Sequence, residues 1–383
     1  MKMKRNFLLA VGILFGALVV FLFLTRGAII RRFYRPTTSS LPGGVRPETG
    51  VPAAQEESEQ LPRKLFQIVA ENLQIPWEVA FLPGGDILIT ERSGTVKRVG
   101  NDRRVFPIEG VAHVGEGGLL GMALHPRFAE NHWLYLYLTT RTDGELTNRI
   151  ERYRLEGDRL SEKTVLLANI PGGTFHDGGR IAFGPDGFLY ATTGDAGDGD
   201  LAQDKNSLAG KIVRLRDDGG IPADNPFGNA VYSYGHRNSQ GLAWDATGRL
   251  WATEHGRSGA ASGLDELNLI EPAKNYGWPV IQGDARRAGM ESPAIHSGAD
   301  ETWAPAGAAY WDGSIFFGGL RGESLYEADI RGEHITLKAY LRGTFGRIRS
   351  VVLGPDEFLY ITTSNTDGRG TARSGDDKII KID

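Results

Sequence analysis

Apolar and polar residues alternate along most of this chain in short runs broken by tight-turn signals, and one phrase recurs six times. Each copy is an apolar strand, a turn built on Gly, Pro or Asp, and a second strand that commonly ends in Thr. The copies read VAFLPGGDILITE from Val79, MALHPRFAENHWLYLYLT from Met122, IAFGPDGFLYATTG from Ile181, LAWDATGRLWATEH from Leu242, AAYWDGSIFFGGL from Ala308 and VVLGPDEFLYITTS from Val351. A period of two on either side of a turn is the signature of an antiparallel hairpin, and no comparably long amphipathic helical pattern lies between the copies. They recur every ~40 to 65 residues, the length of a four-stranded propeller blade with variable loops. The near identity of GPDGFLYATT and GPDEFLYITT in the third and sixth copies argues against a sandwich with coincidental turns. The expected fold is all-β, a six-bladed β-propeller over residues 64–383.

Two stretches break this pattern. Residues 7–24 are uninterruptedly apolar behind Lys2, Lys4 and Arg5, long enough to span a bilayer as a helix. Residues 1–35 are therefore expected to form an N-terminal membrane anchor or signal segment, with an uncleaved transmembrane helix preferred over a cleaved signal peptide because no small-x-small site follows the run closely. Arg26, Arg31, Arg32 and Arg35 on its far side leave the orientation open. Residues 36–63 turn rich in Pro, Ser, Thr and Glu, as expected of a disordered linker. Together these segments predict a membrane-anchored protein whose propeller is extracytoplasmic, periplasmic or at the cell surface.

Composition narrows the chemistry. A formal net charge of -4 removes the electrostatic footprint of a nucleic-acid binder. The 52 Gly follow no collagen-like period and fit many tight turns. Because there is no Cys, disulfides, thiolate metal sites and Cys nucleophiles are excluded, and any metal must be held by oxygen or imidazole.

Polar clusters lie between the later copies. In TFHDGGRIAFGPDG, His176 stands just before an inner strand, with Asp195 at the end of the hairpin, where an imidazole could take a proton near neutral pH. In YSYGHRNSQGL, His236, Arg237, Asn238 and Gln240 are costly to bury without a polar ligand or a complete network; a structural polar plug near the axis satisfies the same pattern. Around DELNLI and NYGWP, Glu254, Asp265, Glu266 and Asp284 supply carboxylates beside turns that expose backbone carbonyls, the mixture that suits Ca²⁺, although no EF-hand spacing is present. Arg347 and Arg349 in GRIRS lie two apart on one strand face and repel unless an anion, or an acidic neighbour on an adjacent blade, lies between them. With Arg321 from the preceding copy, they predict a central site for a multiply anionic ligand.

Through GEGGLLGMALHPRF, HDGGRIAFGPDG, GHRNSQGLAW, DELNLI with NYGWP, and GRIRSVVLGPD, taken in order, the chain from about Leu65 to its end resembles the PQQ-dependent glucose/sorbosone dehydrogenase family. The resemblance implies oxidation of an aldose sugar at its anomeric hydroxyl, with electrons passed to a quinone or other acceptor. It implies His176 as the general base with Asp195 beside it, and Arg237, Asn238, Arg321, Arg347 and Arg349 as PQQ contacts. It further implies Ca²⁺ at the carbonyls of Gly256 and Arg257, and a second Ca²⁺ at Glu266, the Tyr276 carbonyl and Asp284. The chain departs from the family pattern at Arg257, where Pro is usual, in the insert RSGAASGL, and at Glu116, where Gln is common. A non-catalytic binding propeller and a Ca²⁺-dependent lactonase-like hydrolase share the architecture; His176 with Arg347 and Arg349 favours the enzyme over the first, and the second gives no reason for the arginine pair.

Overall fold

The computed structural model describes residues 66–259 and 262–382; the expected anchor and the expected linker lie outside the described residues. Among the described residues no helix is long and apolar enough to cross a membrane. Residues 66–257 and 262–382 belong to one compact unit.

Six antiparallel four-stranded sheets follow one another along the chain. The first holds β2 (Pro76–Phe81), β3 (Ile87–Glu91), β4 (Thr95–Val99) and β5 (Arg104–Pro107). The second holds β6 (Leu119–Leu124), β7 (Trp133–Thr142), β8 (Glu145–Glu156) and β9 (Arg159–Pro171). The third is β10 (Ile181–Phe183), β11 (Leu189–Thr192), β12 (Lys211–Leu215) and β13 (Val231–Tyr234), and the fourth β14 (Ser239–Trp244), β15 (Leu250–Glu254), β16 (Glu266–Ile270) and β17 (Ile295–His296). The fifth is β18 (Pro305–Trp311), β19 (Ser314–Gly319), β20 (Leu325–Asp329) and β21 (Thr336–Tyr340). The sixth is β22 (Ile348–Leu353), β23 (Leu359–Thr363) and β24 (Ile379–Ile382), completed by β1 (Phe66–Ala70) from the other end of the propeller. Every copy of the repeated phrase is the hairpin of the first two strands of a blade, and β1 closes the ring by pairing with β24.

The Thr that ends several copies has a structural task. Most inner hairpins carry a register shift in their first strand, and the hydroxyl one strand over takes up the amide that the shift releases. Glu78 N–H donates to Thr90 Oγ1 and Ser350 N–H to Thr362 Oγ1, both at 3.0 Å; Arg180 N–H makes the same bond to Thr192 Oγ1 at 2.9 Å in the third blade, whose inner hairpin has no shift. Thr90 and Thr253 also donate onward to the carbonyls of Leu120 and Ala306 on the next blade's first strand, both at 2.6 Å. Adjacent first strands approach so closely that a Cβ on Gly121 would lie 2.2 Å from the Gly179 oxygen, and one on Gly241 2.4 Å from the Ala306 oxygen. Between blades the apolar faces interlock around Trp77, Tyr135 and Tyr137, or around Trp303 and Phe317.

Candidate active site

The third blade's inner hairpin brings His176, just before β10, and Asp195, just after β11, to one end of the sheet. His176 Nδ1 is 2.7 Å from Asp195 Oδ1. Gly197 N–H donates to the same oxygen and Trp278 Nε1 to Oδ2, each at 2.8 Å. Burial raises the Asp195 carboxyl, but the His176 bond and charge, the Gly197 amide and the Trp278 indole outweigh it and hold the group below its ordinary value. An ionised Asp195 only accepts, so Nδ1 carries the proton and Nε2 the lone pair. That leaves Nε2 free to accept a proton from a ligand. The His176 backbone sits at φ +64°, a conformation side-chain-bearing residues rarely adopt.

Arg347 and Arg349 are both buried, and the anion between them is the chain's own Asp367, from the loop after β23. It belongs to the same blade rather than an adjacent one. Arg347 Nη2 and Nε donate to Asp367 Oδ2 at 2.9 and 3.1 Å, and Arg349 Nη2 lies 3.7 Å from the same oxygen. Arg349 Nη1 also donates to Gln240 Oε1 at 3.2 Å. Asp367 and Glu116 do not balance this cluster, because buried Arg92 from the first blade joins Arg347 and Arg349, and Arg369 adds a further charge beside Glu116. Burial, and then the charges of Arg92 and Arg347 working against Asp367, push Arg349 down to about 9. An excess of buried guanidinium charge, with planar donor forks, fits a ligand carrying several carboxylates.

Arg237 is buried with its guanidinium 5.2 Å from the Trp278 ring, beside the His176–Asp195 pair. Asn238 is buried too, and its Oδ1 accepts Gly178 N–H at 3.0 Å, pinning the turn behind His176. His236 belongs to the structural network: it bonds Glu254 Oε2 at 2.8 Å and Ser233 Oγ at 2.9 Å and stacks on Tyr276. The GHRNSQ segment is therefore part site and part plug. Arg321 is half-buried and anchored through its backbone N–H to the Trp303 carbonyl at 3.2 Å.

The residues implied for metal binding are less gathered. Gly256 donates its N–H to Asp265 Oδ1 at 2.8 Å, and Arg257 and Gly263 form an isolated bridge that closes the inserted loop. Glu266 accepts Gly283 N–H and Asn268 Nδ2, both at 3.2 Å. Tyr276 donates its hydroxyl to the Leu269 carbonyl at 2.6 Å. Asp284 is exposed and pairs with His296 Nε2 at 3.2 Å. Among the described residues no three His, Asp or Glu side chains form a metal-binding group. Burial, and then the charge of Glu254, raise the Glu266 carboxyl to about 8.

Sequence reasoning missed Arg92, Trp278, Asp367 and Arg369. Arg92 had a local signal, since it follows its hairpin's second strand as Asp195 and His255 follow theirs. Arg369 had none: its partner Glu116, at 2.5 Å, is 253 positions away. Burial raises the Glu116 carboxyl, but Arg369, the His176 amide and His255 bring it down to about 2. The carboxylate at the usual Gln position is thus paired within the protein.

The six-bladed propeller sets a carboxylate-oriented imidazole beside a buried cationic cluster, and the relatives of this chain make it an oxidoreductase. The chain belongs to the glucose/sorbosone dehydrogenase family, whose model matches residues 73–373. Its fold is similar to that of the PQQ-bound aldose sugar dehydrogenase of Streptomyces coelicolor, with a TM-score of 0.78 and 44% identity over 84% of this chain and 97% of that one. It is 32% identical over 339 residues to an aldose sugar dehydrogenase of Escherichia coli, 79% of this chain and 90% of the relative. With quinoprotein glucose dehydrogenase B of Acinetobacter calcoaceticus it shares 35% identity over 268 residues, 60% of this chain and 55% of the relative.

Proposed function

We propose that this protein is a PQQ- and Ca²⁺-dependent aldose dehydrogenase that oxidises the anomeric hydroxyl and passes electrons to a quinone or other acceptor. The observation that carries the reading is the oriented His176–Asp195 pair beside a buried arginine cluster whose positive charges outnumber its carboxylates. Arg237, Arg347 and Arg349, with Arg92, would hold the carboxylates of PQQ, while Arg321 lines the fifth-blade side and Asn238 keeps the turn behind His176 in place. When bound, PQQ supplies an electrophilic quinone that accepts hydride. His176 Nε2 takes the proton of the sugar hydroxyl, and Asp195 holds the ring in the required tautomer and stabilises the imidazolium.

Ca²⁺ is proposed at Glu266, the Tyr276 carbonyl and Asp284, and at the carbonyls of Gly256 and Arg257. In support, Glu266 is a carboxyl raised by burial, and two buried amide oxygens nearby, Asn268 Oδ1 and Gln282 Oε1, receive no hydrogen bond. We also propose, from the apolar run over residues 7–24 alone, that the chain is membrane-anchored with its propeller in the periplasm or at the cell surface. Recovery of the full chain in the membrane fraction, with the propeller accessible from outside the cytoplasm, checks that.

The test uses the full chain extracted in mild detergent, stripped with chelator and reconstituted with PQQ and Ca²⁺, with aldose-dependent dye reduction as the readout. His176→Gln should retain PQQ binding and lose on the order of 10²- to 10⁴-fold in kcat. Failure of the unmodified chain to bind PQQ overturns the enzyme reading; full turnover in His176→Gln overturns the base assignment.

A further inference from the structure

The loop between β5 and β6, residues 108–118, ties other blades to the backbone of His176. From the first blade, Arg92 Nη2 donates to the Gly115 carbonyl at 2.8 Å. Gly115 has φ +60°, and a Cβ there would lie 1.9 Å from the Thr174 oxygen, so the loop is pressed against the chain two residues before His176. Glu116 N–H donates to that same Thr174 oxygen at 2.9 Å. The Glu116 side chain then spans two elements: Oε2 accepts His176 N–H at 3.0 Å, and Oε1 accepts Arg369 Nη1 from the sixth blade's last loop at 2.5 Å. Asp195 fixes the imidazole ring but does not bond the His176 amide. The left-handed backbone from which that ring is aimed has its side-chain anchor in Glu116.

We propose that Glu116, locked in place by Arg369, is a positioning residue for His176, fixing the backbone geometry that aims Nε2 at the substrate. This rests on the reading of His176 as the base. It gives the carboxylate at this position a role that an unpaired rim acid would not have. The interaction is charge-assisted at both oxygens, so replacing the acid by an amide weakens it without removing the acceptor. Removing the side chain beyond Cβ leaves the His176 amide without its acceptor.

Full-length Glu116→Gln, Glu116→Ala and Arg369→Gln are compared with the unmodified chain in two measurements. Without cofactor, hydrogen exchange at the His176 amide should accelerate about tenfold or more in Glu116→Ala, as expected for loss of a charged acceptor, and less in Glu116→Gln and Arg369→Gln. In the reconstituted protein Glu116→Ala should lower kcat on the order of 10- to 100-fold with KM changed less than about threefold, as misaimed catalytic groups do. Glu116→Gln should recover most of that loss. Unchanged exchange in Glu116→Ala overturns the proposal; so does unchanged kcat with a raised KM, which makes Glu116 a substrate contact. If Glu116→Ala does not fold, unchanged exchange in both Glu116→Gln and Arg369→Gln is the overturning result, and faster exchange in them the supporting one. Absence of turnover in the unmodified chain defeats the reading of His176 as base, while the exchange comparison still decides what Glu116 holds.

Discussion

His176 is gripped at two points, its ring by Asp195 and its amide by Glu116, and the two grips make separable predictions. Asp195→Asn leaves a group of the same shape but offers Nδ1 a different partner, so the wrong tautomer becomes available; kcat should fall on the order of 10²-fold or more with cofactor affinity retained. Steady-state kinetics checks this, and an unchanged kcat contradicts it. Glu116 is held at about 2 against an ordinary 4.5, so its contribution to stability is complete above the unfolded value and is lost as pH falls from there through about 2. Melting temperature should therefore drop less steeply between about pH 5 and about pH 2 in Glu116→Gln than in the unmodified chain, and equal slopes contradict the assignment. His176 and Asp195 were legible in the sequence because one hairpin carries both, so their proximity needs only local strand geometry. The Glu116–Arg369 pair was not, because it exists only after blades far apart in the chain have been brought together.

At the scale of the hairpin, the six copies marked the inner two strands of every blade, since alternation and turn residues are local properties. The reason for their final Thr was hidden. It answers a register shift in the neighbouring strand and the carbonyl of the next blade, neither of which is encoded nearby. The glycines of the first strands have the same origin, set by the approach of a partner strand rather than by a turn. Gly241→Ala places a Cβ against the Ala306 oxygen, where backbone on both sides resists movement; it should destabilise the fold by ~1–3 kcal/mol. Chemical denaturation of the full chain measures this, and a change below about 0.5 kcal/mol contradicts the account.

Across the whole molecule, closure turns separated polar residues into one site. The polar clusters read from the sequence lie between the later copies. In the folded ring β1 and β24 make the closing pair, and the first blade also adds Arg92 to the cluster around Arg347 and Arg349. That cluster was only half visible because Asp367 and Arg92 acquire their meaning from its net charge, a property of the assembled ring. The most direct test of the central claim is a titration of the metal-replete, cofactor-free full chain with PQQ, followed by calorimetry or the change in PQQ absorbance. We expect saturable one-to-one binding that weakens by at least about tenfold in Arg349→Ala, the loss of a charged hydrogen-bonding partner. Absence of saturable binding, or binding indifferent to Arg349, would contradict the assignment of the arginine cluster as a PQQ site.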